Sequence, residues 1–151
     1  MLATEILTQD HRDAIDLVEQ LEGVRNDAPG NQETFEELAS ALMLHMREEE
    51  QIYYPALAEF EEFADMMEEN IAEHEMVKQN LVQMRELSVA DAEFQKLLTE
   101  TRSALEMHMT VEEDEVFPRS LELMERIDQL GTEIDQMKAE LDPGLSSSAR
   151  M

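Results

Sequence analysis

The chain has no cysteine among its 151 residues, which excludes a disulfide, a thiolate nucleophile and a thiolate-held iron–sulfur cluster. Any metal it holds is bound through nitrogen and oxygen. Basic residues are few: 11 Lys and Arg stand against 37 Asp and Glu, for a formal charge of −26. So acidic a surface repels nucleic acid and anionic lipid, and neither is expected as a partner. No apolar run approaches the ~18 residues of a membrane span. The opening "MLATEILTQDHRDAIDL" has neither the basic start nor the apolar centre of a secretory signal. The expectation is a cytoplasmic protein that does not enter membranes.

Glycine and proline number only four each, and Val, Ile and Thr are sparse. What dominates is Ala, Leu, Glu, Met and Gln, residues that lose little side-chain freedom in a helix. At this length one core suffices, burying about 70% of the unfolded chain's surface. Turn formers divide the chain at "RNDAPGNQ" (25–32), at Pro55 and the acidic stretch near Phe60, at "ELSVADAE" (86–93) and at Pro118. The four segments between them carry apolar residues at alternating three- and four-residue spacing. The stripes read Leu7, His11, Ala14, Val18, Leu21; then Phe35, Leu38, Leu42, His45, Glu49, Ile52; then Ile71, His74, Val77, Leu81, Met84; then Phe94, Leu98, Thr101, Leu105, His108, Glu112. Beyond Pro118 a further helix, interrupted at Gly131, offers Leu121, Met124, Ile127, Ile134 and Met137 to the bundle. The fold class is all-α: an up-and-down four-helix bundle with an additional C-terminal helix. Residues 1–141 form one domain, its ligand-bearing core at about 4–125, and residues 142–151 a flexible tail.

"ALMLHMREEEQIYYP" (41–55) returns 63 positions later as "ALEMHMTVEEDEVFP" (104–118). The repeat is wider than that, because His11 to His45 and His74 to His108 are both 34 residues. Each half is a helical hairpin supplying one His and then His-x-x-x-Glu. Short connections make consecutive helices antiparallel neighbours. The paired histidines lie symmetrically about Ala28, about Glu59 and Phe60, and about Asp91. With a rise of about 1.5 Å per residue, all four imidazoles fall at one height, and Glu49 and Glu112 lie about one turn further along the same faces.

A single histidine on an apolar stripe is more often a hydrogen-bonded core residue than a ligand. Four at one level beside two inward carboxylates are another matter, because buried ionised acids cost several kcal/mol each unless a cation compensates. The candidate metal ligands are His11, His45, Glu49, His74, His108 and Glu112. Imidazole and carboxylate together suit iron, zinc, copper or nickel. Two octahedral ions offer about twelve positions; the six side chains and one bridging oxygen fill about ten, leaving room for a small ligand. The spacing is not that of ferritin-like bundles, which place Glu three residues before His, for here those positions are Thr8, Leu42, Ile71 and Leu105. "HEMVK" (74–78) is no zinc-protease helix, since Lys78 stands where a second histidine would be.

The set His11, His45-x-x-x-Glu49, His74, His108-x-x-x-Glu112, with "DHR", "EH" and the "YP" and "FP" ends, resembles the hemerythrin-like, or HHE cation-binding, family. The resemblance implies a non-haem di-iron centre, two oxo- or hydroxo-bridged irons with the carboxylates bridging them, and a gaseous or peroxide ligand. With Lys78 in place of the fifth histidine of oxygen carriers, the chain is similar to the bacterial four-His, two-Glu branch. That branch includes iron–sulfur cluster repair proteins responding to nitric oxide and oxidative stress. A peroxidase or oxidase activity and metal storage or delivery are the other functions to weigh, the former with a redox partner. Of the remaining residues, Met43, Met46, Met107 and Met109 read as core filler. Glu48, Glu50 and Glu113 read as solvated or supporting groups, and Tyr53 and Tyr54 as near enough to cap the site but more ordinarily surface packing. Asp10 and Glu73, adjacent to histidines, do not share their faces.

Overall fold

The computed structural model describes residues 1–141; the expected tail at 142–151 lies outside the described residues. Helix α1 (Ala3–Leu21) starts where Glu5 reaches back to the Leu2 N–H at 2.8 Å, and is followed by Gly23, whose φ of +73° turns the chain toward the next helix. Helix α2 (Pro29–Glu48) has proline in its first turn, where no N–H is missed. After short α3 (Tyr54–Leu57) come α4 (Glu61–Arg85) and α5 (Ala92–Val111), then short α6 (Phe117–Leu123) and α7 (Ile127–Leu141). Helices α1, α2, α4 and α5 make the bundle, and α7 packs back across α1 and α2.

Pro55 and Pro118 do not end their helices, contrary to the sequence reading. A π turn precedes each, at Glu49–Tyr53 and Glu112–Val116, in which the Tyr54 N–H bonds to the Glu49 carbonyl and the Phe117 N–H to the Glu112 carbonyl. A proline ring in a regular α-helix collides with the carbonyl four residues back; the wider turn relieves that collision and the chain continues helical. Both π turns begin at the glutamate of a repeat, so the local irregularity belongs to the site.

The described buried apolar residues form two clusters. One, around Phe35, Leu38, Leu81, Met84, Phe94 and Leu98, fills the end of the bundle near the α1–α2 and α4–α5 connections. The other, around Leu7, Tyr53, Leu57, Phe117, Leu130 and Ile134, fills the end that α7 covers. The histidines and glutamates occupy the layer between them. Some expected core positions are instead exposed: Ile71, Leu121, Met43 and Met107 face solvent. A strict three-four count over-reads α4 before His74, and among the methionines flanking His45 and His108 only Met46 and Met109 point inward.

Gly131 does not interrupt α7. It lets the helix lie against the start of the chain: a Cβ there would stand 2.1 Å from the Met1 carbonyl oxygen and 3.0 Å from the Ala3 nitrogen. Gly131→Val is therefore expected to push α7 off α1. The overpacking costs about 1–3 kcal/mol, a fall in Tm of roughly 3–9 °C for a domain of this size, measured by thermal unfolding of the metal-free protein.

Candidate metal centre

Helices α1, α2, α4 and α5 bring His11, His45, Glu49, His74, His108 and Glu112 around one point. Glu49 Oε1 lies 3.3 Å from His45 Nε2, 3.2 Å from His74 Nε2 and 3.8 Å from His108 Nε2. Glu112 Oε1 lies 3.2 Å from His11 Nε2 and 3.4 Å from His108 Nε2. Each carboxylate thus reaches a histidine of both hairpins. Both glutamates are buried, as are His11, His45 and His74, and His108 is nearly so.

The outer nitrogens are all engaged. His11 Nδ1 meets Glu113 Oε2 at 2.8 Å, His45 Nδ1 meets Asp10 Oδ2 at 3.0 Å, His74 Nδ1 meets Glu50 Oε2 at 2.7 Å and His108 Nδ1 meets Glu73 Oε2 at 2.8 Å. An ionised carboxylate only accepts, so each ring donates from Nδ1 and turns its Nε2 toward the centre. Sequence reasoning set Asp10 and Glu73 aside and read Glu50 and Glu113 as solvated or supporting groups; the structure places all four on the histidines. Asp10 and Glu73 precede a histidine, and Glu50 and Glu113 follow a glutamate. A neighbour in sequence sits about 100° around the helix, so each acid faces the histidine of an adjacent helix rather than its own. The signal was in the repeat, since Asp10 and Glu73, like Glu50 and Glu113, are 63 residues apart.

Four further residues bear on the site. Lys78, in the place of a fifth histidine, pairs with Glu50 at 3.2 Å and so steadies the acid behind His74. Glu48 is not solvated but wholly buried, and burial together with the neighbouring Asp10 carboxylate pushes its pKa up to about 8. Tyr53 and Tyr54 are not surface packing: both are buried. Tyr53 donates to Ser120 Oγ at 2.7 Å. The Tyr54 hydroxyl enters the site, donating to Glu112 Oε2 at 3.0 Å and lying 3.0 Å from His108 Nε2 and 3.5 Å from His74 Nε2. A turn that closes residue i on i+5 stacks Tyr54 over Glu49, so the π turn aims it inward. Its counterpart is Phe117. Tyr54 stacks on His74 (centroids 5.6 Å, 24° between planes) as Phe117 does on His11 (5.9 Å, 14°).

Without a cation, protons compensate the buried acids. Burial opposes a charge on His45, but Glu49 and Asp10 outweigh it and hold its pKa well above the ordinary value. Glu49 is held well below the usual carboxylate range, against burial, by His45. His108, also against burial, is raised to about 11 by Glu112 and Glu49. Both rings therefore carry a proton at neutral pH in the metal-free protein, and a cation can take their Nε2 only by displacing it. Metal affinity is expected to rise with pH from neutrality toward about 11 and to fall on acidification, with about two protons released on filling the centre. Titration in buffers of different ionisation enthalpy measures this; uptake without release contradicts the protonation scheme.

The residues fit a metal pair. His11 Nε2, His45 Nε2, both Glu49 oxygens and Glu112 Oε1 are buried with no hydrogen-bond partner; their mutual contacts, though as short as 3.2 Å, fall outside hydrogen-bond geometry. Buried polar groups left so are rare and costly. The ligand atoms of His11, His45, Glu49 and Glu112, and those of Glu49, His74 and His108, lie close enough together for one ion in each group.

Fold and site together define a helical-bundle protein that binds cations through histidine and carboxylate. A family model, the hemerythrin HHE cation binding domain, matches residues 2–120, and the chain belongs to that family. Among solved structures it is similar to a hemerythrin HHE cation binding domain-containing protein from Mycobacterium kansasii, at TM-score 0.70 and 21% identity, covering 97% of this chain and 96% of that one. At that identity the likeness is one of fold. No curated protein matches. Among the described residues, no helix is long and apolar enough to cross a membrane.

Proposed function

We propose that the protein holds two bridged iron ions and uses them in the cytoplasm to bind, sense or react with O2, nitric oxide or peroxide, in oxidative or nitrosative stress or in iron handling. His11 and His45 would hold one ion and His74 and His108 the other, with Glu49 and Glu112 as the carboxylates shared between them. The observation that carries this reading is the division of labour within each imidazole. All four Nδ1 atoms are tied to carboxylates while the Nε2 atoms converge, which is how a protein fixes tautomer and ring angle for a metal. The bound pair would supply redox chemistry and open coordination positions. The protein's own part is to orient the rings, to compensate two buried acids and to exclude bulk water.

A small ligand has a place to sit. A cavity of about 20 Å3 lies over the histidines, walled by Leu42, Met46, Val77, Leu105 and Met109. It has room for about one water-sized or diatomic molecule, with His11, His45, Glu49, His74 and His108 completing its lining. Tyr54 favours a second reading, a peroxide-consuming or oxidase-type enzyme, because a buried hydroxyl within 3.0 Å of a ligand histidine can bind a cation or give up a proton there. The experiment is metal analysis of protein purified from iron-supplied cells, followed by absorption spectra before and after O2, nitric oxide or peroxide. Two irons per chain with a ligand-dependent visible spectrum are expected. Protein without iron, or spectra indifferent to all three, would overturn the reading; sustained peroxide loss selects the enzyme over the carrier or sensor.

A further inference from the structure

The likeness between the two halves fails behind His45. Asp10 and its counterpart Glu73 both accept from a histidine, but Glu73 is 49% exposed while Asp10 is 16% exposed and lies beneath α7. From the last turn of α7, Lys138 reaches Asp10 Oδ1 at 3.0 Å and Oδ2 at 3.3 Å. Its ammonium also lies 2.6 Å from Glu48 Oε1, an ion-pair distance off the line of a hydrogen bond. The residue matching Glu48 in the second half is Val111, which needs no cation. Lys78 serves Glu50 from a bundle helix, whereas Lys138 comes from outside the bundle and beyond residues 2–120, which match the family.

We propose that Lys138 is a positioning residue for the His11/His45 half of the metal centre, holding Asp10 against His45 and so making the docking of α7 part of cation binding there. The inference rests on the cation-binding reading of the site. Its physical basis is the direct hold of Lys138 on Asp10. Ligand atoms of Asp10, His45 and Glu48 lie within 4.8 Å of one another, so Asp10 has two partners, the imidazole it must hold and a buried carboxyl group. Lys138 bridges both acids and leaves one Asp10 oxygen on Nδ1. Without Lys138, Asp10 loses both hydrogen bonds from the ammonium whether or not Glu48 stands beside it, and His45 loses the fixed acceptor that sets its tautomer and ring angle. Loss of such an outer partner weakens metal binding by about 10–100-fold.

The test uses the full chain as Lys138→Met, Lys138→Arg and the double variant Lys138→Met/Glu48→Val, titrated with Co(II) in parallel with wild type and with His45→Ala. Wild type is expected to take two ions. Lys138→Met should keep one at unchanged affinity and bind the other about 10–100-fold more weakly, the weakened ion being the one His45→Ala loses. Lys138→Arg should recover most of that loss. In metal-free Lys138→Met the His45 Nδ1–H resonance should broaden into solvent exchange, a readout independent of any metal. The double variant removes the buried acid with its cation, so it should regain thermal stability but not the second ion's affinity. Full affinity in Lys138→Met, or its return in the double variant, would overturn the proposal, the second result reducing Lys138 to a counter-ion for Glu48. Failure of wild type to bind two ions would instead overturn the cation-binding reading, and this inference with it.

Discussion

Glu49→Gln is expected to empty the metal centre while leaving the bundle folded. The amide has the shape of the carboxylate and lacks its charge, so the substitution removes the charge that two cations would share and little else. Glu49 Oε1 stands between His45 of one hairpin and His74 of the other, at 3.3 and 3.2 Å. One substitution therefore weakens both positions. Losing a direct ligand exceeds the loss of an outer partner, so affinity should fall by more than about 100-fold for each ion, and iron should drop from two per chain to near none. Glu112→Gln should behave alike, because Glu112 bridges His11 and His108 in the same manner. Iron analysis checks both, with far-UV circular dichroism of the metal-free variants to show that helices survive. Retention of two irons in either variant would remove that carboxylate from the bridge.

The legibility of this site in the sequence follows from its geometry. Four histidines equidistant from three turns must lie at one height if the helices run antiparallel, so spacing alone gathers the six inward groups. What spacing does not reveal is anything that depends on a neighbouring helix. Asp10, Glu50, Glu73 and Glu113 look like ordinary members of an acidic surface until the packing shows that each closes on an imidazole across a helix–helix seam. The same holds for Glu48, which joins an acidic run in sequence but is buried because α7 lies over it and delivers Lys138. Pro55 and Pro118 mislead for a different reason. Proline collides with its helix where the preceding turn is α, and the π turns at Glu49 and Glu112 remove that collision. Gly131 reads as a break for want of knowledge of what it touches; contact with the first residues of α1 requires its small size.

The repeat also has an energetic consequence. Two hairpins with equivalent ligands would give two equivalent ions, and equivalence is broken at Glu48 against Val111, at Asp10 beneath α7 against the exposed Glu73, at Lys78 beside Glu50 against Ile15, and at Tyr54 against Phe117. Of these, the last lies among the candidate ligand atoms themselves.

Tyr54→Phe is accordingly expected to change the chemistry of the iron-loaded protein without removing its iron. The hydroxyl lies among the Nε2 atoms of His108 and His74 and beside Glu112 Oε2, within the group of donors that would surround the second ion. Burial first, then Glu49 and Glu112, raise its pKa, so in the metal-free protein it stays a phenol and donates to Glu112. Tyr54 would lose that proton beside a bound ferric ion, because a cation stabilises the phenolate that carboxylates disfavour. The expected result is a phenolate-to-iron charge-transfer band in the visible spectrum of the ferric wild type, lost completely in Tyr54→Phe with two irons retained. The freed position should then admit azide or another small anion about tenfold more tightly. In the metal-free variant the buried Glu112 loses its donor, at a cost of about 1–3 kcal/mol in stability. Tyr54→Phe/Phe117→Tyr provides the decisive control, because the two rings stack on His74 and His11 in closely similar ways. If the hydroxyl acts as a ligand, moving it to the opposite half should restore a charge-transfer band on the other iron. An unchanged spectrum in Tyr54→Phe would confine Tyr54 to its hydrogen bond with Glu112 and leave the asymmetry of the two ions to Lys138 and α7.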